Sequence, residues 1–174
     1  MPQQAETVEC HLRARGLNPA HYTGLFIAEA QRVATFTLWN LSGQMVGTQQ
    51  YRPDAPKTAT NNPREGRYYT SVHGSRGHKP IAVWGLESLT LRGDLVVVCE
   101  GIFDACRFHP FGVPAIAALT NNLHHIHDWL VSLGRRVLVV ADRDGSRMKR
   151  FKHLPLPPGR GDPGECRNVE MVAL

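Results

Sequence analysis

Three carboxylates stand out by where they fall along the chain. Glu100 follows directly on the apolar run LVVVC (95–99). Asp142 follows directly on RVLVVA (136–141), and Asp144 comes two residues later. Short apolar runs rich in β-branched residues are what strands covered on both faces require. In an open parallel sheet, ligands bind beyond the carboxyl ends of the strands. There Glu100, Asp142 and Asp144 would converge on one sheet edge, Asp144 sharing the side of Asp142 where the backbone stays extended. Carboxylates gathered in this way repel one another unless a cation neutralises them. Oxygen donors without Cys or His suit Mg²⁺ or Mn²⁺. Mg²⁺ completes its shell with water and substrate phosphates, so the implied chemistry is phosphoryl transfer. Each acid alone has a plainer reading, because an acid after a strand commonly caps a helix, and Asp144-Gly145-Ser146 could simply open the next one. The DxDG spacing is not that of an EF-hand loop.

The elements needed to position these acids are legible around them. In the second half, LVVVC is followed by GIFDACRFH (101–109) at helical spacing, then by the strand-like VPAIAAL (113–119). NNLHHIHDWLVSLG (121–134) carries Asn caps, a stripe of Leu123, Ile126, Leu130 and Leu133, and a closing Gly134. RVLVVA is a third buried strand, and DGSRMKRFKHL (144–154) reads as a further helix. Such alternation predicts an α/β fold with a parallel sheet flanked by helices. The first half is different. ETVECHLRARGL (6–17) has helical spacing, and strand-like runs follow at 24–30, 33–41 and 45–51, the last two joined by the turn Leu41-Ser42-Gly43-Gln44. Residues 52–79 are polar and rich in Pro and Gly, and they read as a long loop of functional use. This stretch holds Arg52, Lys57, Arg64, Arg67, Arg76 and Lys79 beside Tyr51, Tyr68 and Tyr69. Basic residues interleaved with aromatics suit a nucleic-acid strand, whose phosphates need charge and whose bases need stacking partners.

Composition sets the outer bounds. The 174 residues are 42% apolar and 20% charged, as in ordinary globular domains. No apolar run reaches the roughly 20 residues of a membrane span, and MPQQAETVEC lacks the basic and apolar regions of a secretory signal. The four cysteines are scattered without a CxxC pair, which argues against a disulfide framework or a zinc ribbon. A cytoplasmic protein with free thiols and no membrane association is therefore expected. Twenty Lys and Arg against fifteen Asp and Glu leave a net charge of +5. The cations concentrate at 135–152, where Arg135, Arg136, Arg143, Arg147, Lys149, Arg150 and Lys152 surround Asp142 and Asp144. That arrangement fits an anionic partner. His124, His125 and His127, at the start of a predicted helix, are expected to meet solvent or phosphate rather than metal. Cys99, Cys106 and the tryptophans 39, 84 and 129 are expected in the core.

CEGIFDA (99–105) and VVADRDGSR (139–147) resemble the two signature motifs of the Toprim domain, shared by DnaG-type primases, topoisomerases and a class of nucleases. LPPGRGDPGE (156–165, within 154–165), RYYTS (67–71), HKPIAVWGLESL (78–89) and the hairpin FTLWNLSGQMVGTQQYR (36–52) are similar in order and type to segments of the primase RNA-polymerase core. The resemblance implies a primase-like α+β N-terminal subdomain over 1–92 and a Toprim domain over 93–174. It implies that Glu100, Asp142 and Asp144 hold Mg²⁺ (or Mn²⁺), with Asp162 a further metal-site acid. It places Lys79 near the active site, and Arg52, Arg67, Lys79, Arg143, Arg147 and Lys149 against nucleotide or nucleic acid. Asp104, where the Toprim motif often carries Asp, is expected either to be structural or to support the metal site.

The implied activity is DNA primase: Mg²⁺-dependent, template-directed joining of NTPs into short RNA primers on single-stranded DNA. The primase zinc-binding module is not found in the sequence, nor is a GxxxxGK[ST] loop of a fused helicase. A replicative helicase or a separate zinc-binding template-recognition protein is thus an expected partner, in a phage or mobile-element setting. Two other readings share the acids. One is a Toprim nuclease that hydrolyses phosphodiesters; the other is a non-catalytic nucleic-acid-binding Toprim protein acting with a replication partner.

Overall fold

The computed structural model of the protein describes residues 6–57, 61–74, 81–120, 122–140 and 151–173. The chain divides into two compact units. One is drawn from Met1–Leu38 and Gln44–Pro80, the other from Trp39–Gly43 and Ile81–Leu174.

The first unit is a four-stranded sheet, ordered β1-β2-β3-β4, with helix α1 against it. Helix α1 (Val8–Ala14) buries Val8 and Leu12, one turn apart. Three of its unsatisfied N-terminal N–H groups find acceptors. Thr7 takes Cys10 N–H at 3.1 Å, and the Glu29 carboxylate takes those of Val8 and Glu9 at 2.8 and 3.0 Å. β1 (Leu25–Ala28) pairs antiparallel with β2 (Val33–Trp39). β3 (Met45–Tyr51) pairs antiparallel with β4 (Tyr68–Val72). β4 lies inside the stretch that composition reads as loop. Its residues, YYTSV, have high strand propensity, but what makes them a strand is the ladder with β3, a non-local partner. Tyr51, opposite Tyr68, is almost fully buried. His11 is hydrogen-bonded to the Tyr51 hydroxyl (2.7 Å), while the Arg15 guanidinium donates to the Tyr68 hydroxyl (2.7 Å) and lies 5.5 Å from the Tyr51 ring centre. These contacts fasten α1 to the β3–β4 pair.

The second unit is the expected parallel sheet, ordered β6-β5-β7-β8. β5 (Leu95–Cys99) is central, flanked in parallel by β6 (Ala115–Ala117) and β7 (Arg136–Val140). Val98 registers with Ile116 on one side and Val139 on the other. All three are fully buried with Leu123, Ile126 and Leu130, the stripe read from sequence. That stripe is not one helix. Leu123–Ile126 is a 3-10 turn, capped by Asn122, and α3 proper spans His127–Ser132. Likewise the helix expected over 101–109 is regular only as α2 (Ile102–Ala105). The helix expected over 144–154 falls mostly outside the described residues. Its described end is instead β8 (Lys152–His153), because Lys152 and His153 pair in parallel with Leu138 and Val139. A closing helix, α4 (Asn168–Ala173), was not evident in the sequence.

Gly85 supplies a join that needs glycine. It has φ +86, and a β-carbon there would lie 2.8 Å from the carbonyl oxygen of Ala115. That close approach lets Trp84 exchange backbone hydrogen bonds with Ala117, while Ser88 Oγ donates to Ala115 O and accepts from Ala115 N. Among the described residues, no helix is long and apolar enough to cross a membrane. The fold is thus mixed α/β: a four-stranded parallel sheet with flanking helices in one unit, a sheet with antiparallel pairs in the other.

Candidate active site

Because Cys99 registers with Ala117 of β6 and Val140 of β7, three strands end level at their carboxyl edge. Glu100 is the first residue beyond that edge. The Glu100 backbone is held by Leu119 N–H donating to its carbonyl (2.9 Å) and Ala118 N–H donating to Cys99 O (2.9 Å). Leu119 makes its bond from the left-handed region (φ 55), a conformation that costs a leucine on the order of 1–2 kcal/mol. Such backbone strain beside a strand-end acid is typical of functional corners.

Gly101 caps α2, and Asp104 lies within the first turn. A β-carbon on Gly101 would come within 2.6 Å of Asp104 Oδ2, so the carboxylate would have to shift to admit a side chain at 101. The other Asp104 oxygen, Oδ1, accepts from Gly164 N–H at 3.1 Å. Gly164 belongs to the 3-10 turn Pro163–Glu165, whose N-cap is Asp162. Asp162 Oδ1 accepts from Glu165 N–H at 3.0 Å, and Glu165 Oε2 accepts from Gly161 N–H at 2.7 Å. This reciprocal arrangement is akin to a capping box, and it gives the Asp-Pro-x-Glu pattern a structural use. A β-carbon on Gly164 would sit 3.0 Å from Asp162 Oδ1 and 3.2 Å from Asp104 Oδ1, so the two carboxylates flank one backbone position. The structure therefore places Asp162 beside Asp104 of α2, four residues on from Glu100.

Asp142, Arg143, Asp144, Arg147 and Lys149 lie outside the described residues, as does Lys79. What is described is the strand leading to the first group. β7 ends at Val140, level with β5. Arg52 and Arg67 belong to the other unit. The backbone N–H of Arg52 donates to Arg67 O (2.9 Å), so the structure makes neighbours of two cations fifteen positions apart in sequence. Arg67 Nε donates to Ala55 O (2.9 Å) and Arg52 Nη2 to Gln50 Oε1 (2.7 Å). Arg52 Nη1 is buried with no hydrogen-bond partner among the described residues. His124 and His125 are exposed, and His127 Nδ1 lies 2.9 Å from Asp128 Oδ1.

The described donors suit a hydrated Mg²⁺ in kind, since Glu100 and Asp162 offer only hard carboxylate oxygens. Among the described residues, no group of three or more His, Cys, Asp or Glu could hold a metal by itself. Sequence reasoning missed the connection from α2 to the 161–168 segment. Its signal was the spacing of Asp104 and Arg107, which places both on one helix face.

Solved structures similar in fold to this chain include catalytic cores of DnaG-type primases. The RNA polymerase domain of Mycobacterium tuberculosis primase DnaG aligns over 94% of this chain and 60% of its own, with TM-score 0.59 and 18% identity. The zinc-binding and RNA polymerase domains of Aquifex aeolicus primase align over 91% and 42%, with TM-score 0.53 and 20% identity. A chain from the structure of bacteriophage T7 lagging-strand DNA polymerase with primase domains, an RNA/DNA hybrid and dTTP aligns over 93% and 73%, with TM-score 0.62 and 16% identity. At these identities the likeness is one of fold. The chain spans 42 to 60% of the length of the first three primase structures it matches. No family model and no curated protein matches the sequence.

Proposed function

We propose that this chain is a primase catalytic core: a metal-dependent nucleotidyltransferase that joins NTPs into short RNA primers on a single-stranded DNA template. The observation that carries this reading is Glu100 at the level carboxyl edge of β5, β6 and β7 in a chain whose fold is similar to primase catalytic cores; the docking of the 161–168 segment on Asp104 supports a place for Asp162 in the same site. Supporting it, one structure of similar fold is a DnaG catalytic domain bound to single-stranded DNA. The proposal includes a Toprim identity for residues 93–174 and a primase-like N-terminal subdomain for 1–92.

Glu100, Asp142, Asp144 and Asp162 would hold Mg²⁺ or Mn²⁺. When bound, the metal lowers the pKa of the attacking 3′-hydroxyl and offsets charge on the departing pyrophosphate. The remaining roles belong to cations of the chain. Arg143, Arg147 and Lys149 take triphosphate oxygens, and Lys79, Arg52 and Arg67 hold template or incoming nucleotide. A helicase or a zinc-binding template reader is the proposed partner.

The test is primer synthesis with labelled NTPs, mixed single-stranded templates and Mg²⁺ or Mn²⁺, with Glu100→Gln in parallel. Short oligoribonucleotides are expected from the wild type. Glu100→Gln should fall to background while its melting temperature stays near wild type, since Glu100 carries no core packing. An active Glu100→Gln would overturn the site assignment. Cleaved template in place of new product would make the protein a nuclease.

A further inference from the structure

Helix α2 and the turn that follows it hold the 161–168 segment at two points. Asp104 Oδ1 accepts from Gly164 N–H at 3.1 Å. One turn later, Arg107 Nη2 donates to Cys166 O and, at 3.1 Å, to Asn168 Oδ1. Arg107 Nε is meanwhile buried without a hydrogen-bond partner among the described residues. The two glycines complete the fit. A β-carbon at Gly101 would displace the Asp104 carboxylate (2.6 Å from Oδ2), and one at Gly164 would press on it (3.2 Å from Oδ1).

We propose that Asp104 and Arg107 are positioning residues, forming a clamp that docks the 161–168 segment on α2 and the turn that follows it and so fixes Asp162 beside Asp104, for use with Glu100. The docking stands on the contacts alone; the use of Asp162 in metal binding rests on the primase reading. Asp104 does its work as a hydrogen-bond acceptor. Asparagine keeps an acceptor oxygen at the same place and removes the charge, whereas alanine removes both. A metal ligand and a positioning residue therefore respond differently to the same pair of variants.

The experiment combines hydrogen exchange by mass spectrometry over 160–168 with Mn²⁺ titration by calorimetry, on the full chain. For Asp104→Ala, amides of 161–166 should exchange about tenfold faster or more, the loss of one charge-assisted hydrogen bond. Mn²⁺ affinity should fall several-fold with it. Asp104→Asn should keep slow exchange and near-wild-type Mn²⁺ affinity. Gly101→Ala, which retains Asp104 but obliges its carboxylate to shift, should speed exchange in the same direction by less, and this covers the case in which Asp104→Ala folds poorly. Arg107→Gln should speed exchange around Cys166 to Asn168. The proposal is overturned if Asp104→Ala and Gly101→Ala leave exchange unchanged. It is equally overturned if Asp104→Asn keeps slow exchange but loses Mn²⁺ as completely as Glu100→Gln, which would make Asp104 a ligand. A wild type that binds no Mn²⁺ sinks the primase reading instead, and the exchange data still decide the clamp.

Discussion

Glu170 shows how a single acid can set the pH range of a segment. Its carboxylate receives Arg160 Nε and Nη2 as a fork, both at 3.0 Å, together with Arg167 N–H at 2.7 Å and Arg167 Nη2 at 3.1 Å. The Arg160 bonds and then those from Arg167 hold its pKa down at about 2, against 4.5 ordinarily. A carboxylate whose folded pKa is depressed stabilises the fold fully above its unfolded value and loses that contribution as pH falls through the folded one. The window is therefore pH 4.5 down to about 2. In thermal melts from pH 6 to pH 2.5, Glu170→Gln should start below wild type at pH 6. It should then lose less on acidification, so that the two curves converge. Parallel curves would show that the Arg160–Glu170 fork does not tie the 160 region to α4. Both side chains keep some contact with solvent, and added salt should weaken the pair.

At the scale of elements, the least legible piece of the fold also gives the sharpest test. β4 sits within a stretch dense in Pro, Gly and Asn, and its existence depends on β3, a partner seventeen or more residues away. Local composition carries no record of that pairing. The closing helix α4 and the two-residue strand β8 escaped for the same reason, being set by tertiary contact in segments too short for periodicity to show. By contrast β5 was evident to the residue, because a strand buried on both faces must be apolar throughout. The candidate site divides similarly. The strand end before Glu100 was readable, while the Asp104–Gly164 contact, which joins residues sixty positions apart, was not. Gly47 tests the β3–β4 ladder directly. A β-carbon there would lie 2.1 Å from Ser71 O and 2.8 Å from Val72 Cα, so no side chain fits while the ladder is closed. Gly47→Ala should cost about 1–3 kcal/mol or more, as overpacking does, measured by urea unfolding. Gly43, with nothing within 4 Å of its β-carbon position, is the control for steric crowding, although its φ of +77 gives any replacement a backbone cost.

For the molecule as a whole, a net charge of +5 is too small to make nucleic-acid binding inevitable. Which cations would carry it can still be argued from how each is already engaged. Arg13 is paired with Glu9 at 2.8 Å, Arg32 with Asp54 at 2.7 Å, and Arg160 and Arg167 with Glu170. Arg135 donates to the carbonyls of Leu89 and Leu91. Arg52 differs, with one guanidinium nitrogen bonded to Gln50 and the other buried without a partner among the described residues. If Arg52 contacts a phosphate, single-stranded DNA affinity falls with salt, and each such contact contributes about 0.7 to the slope of log K against log salt. Arg52→Gln should then weaken binding and reduce that slope by about 0.7, measured by fluorescence anisotropy on a labelled oligonucleotide between 50 and 200 mM salt (~ the range over which counterion release is usually read). Arg13→Gln should leave both unchanged, because Arg13 is balanced by Glu9 on the same helix. The slope is the informative quantity. A variant that binds less tightly with an unaltered slope has lost folded protein or loop geometry, not a phosphate contact, and that result would remove Arg52 from the proposed nucleic-acid surface.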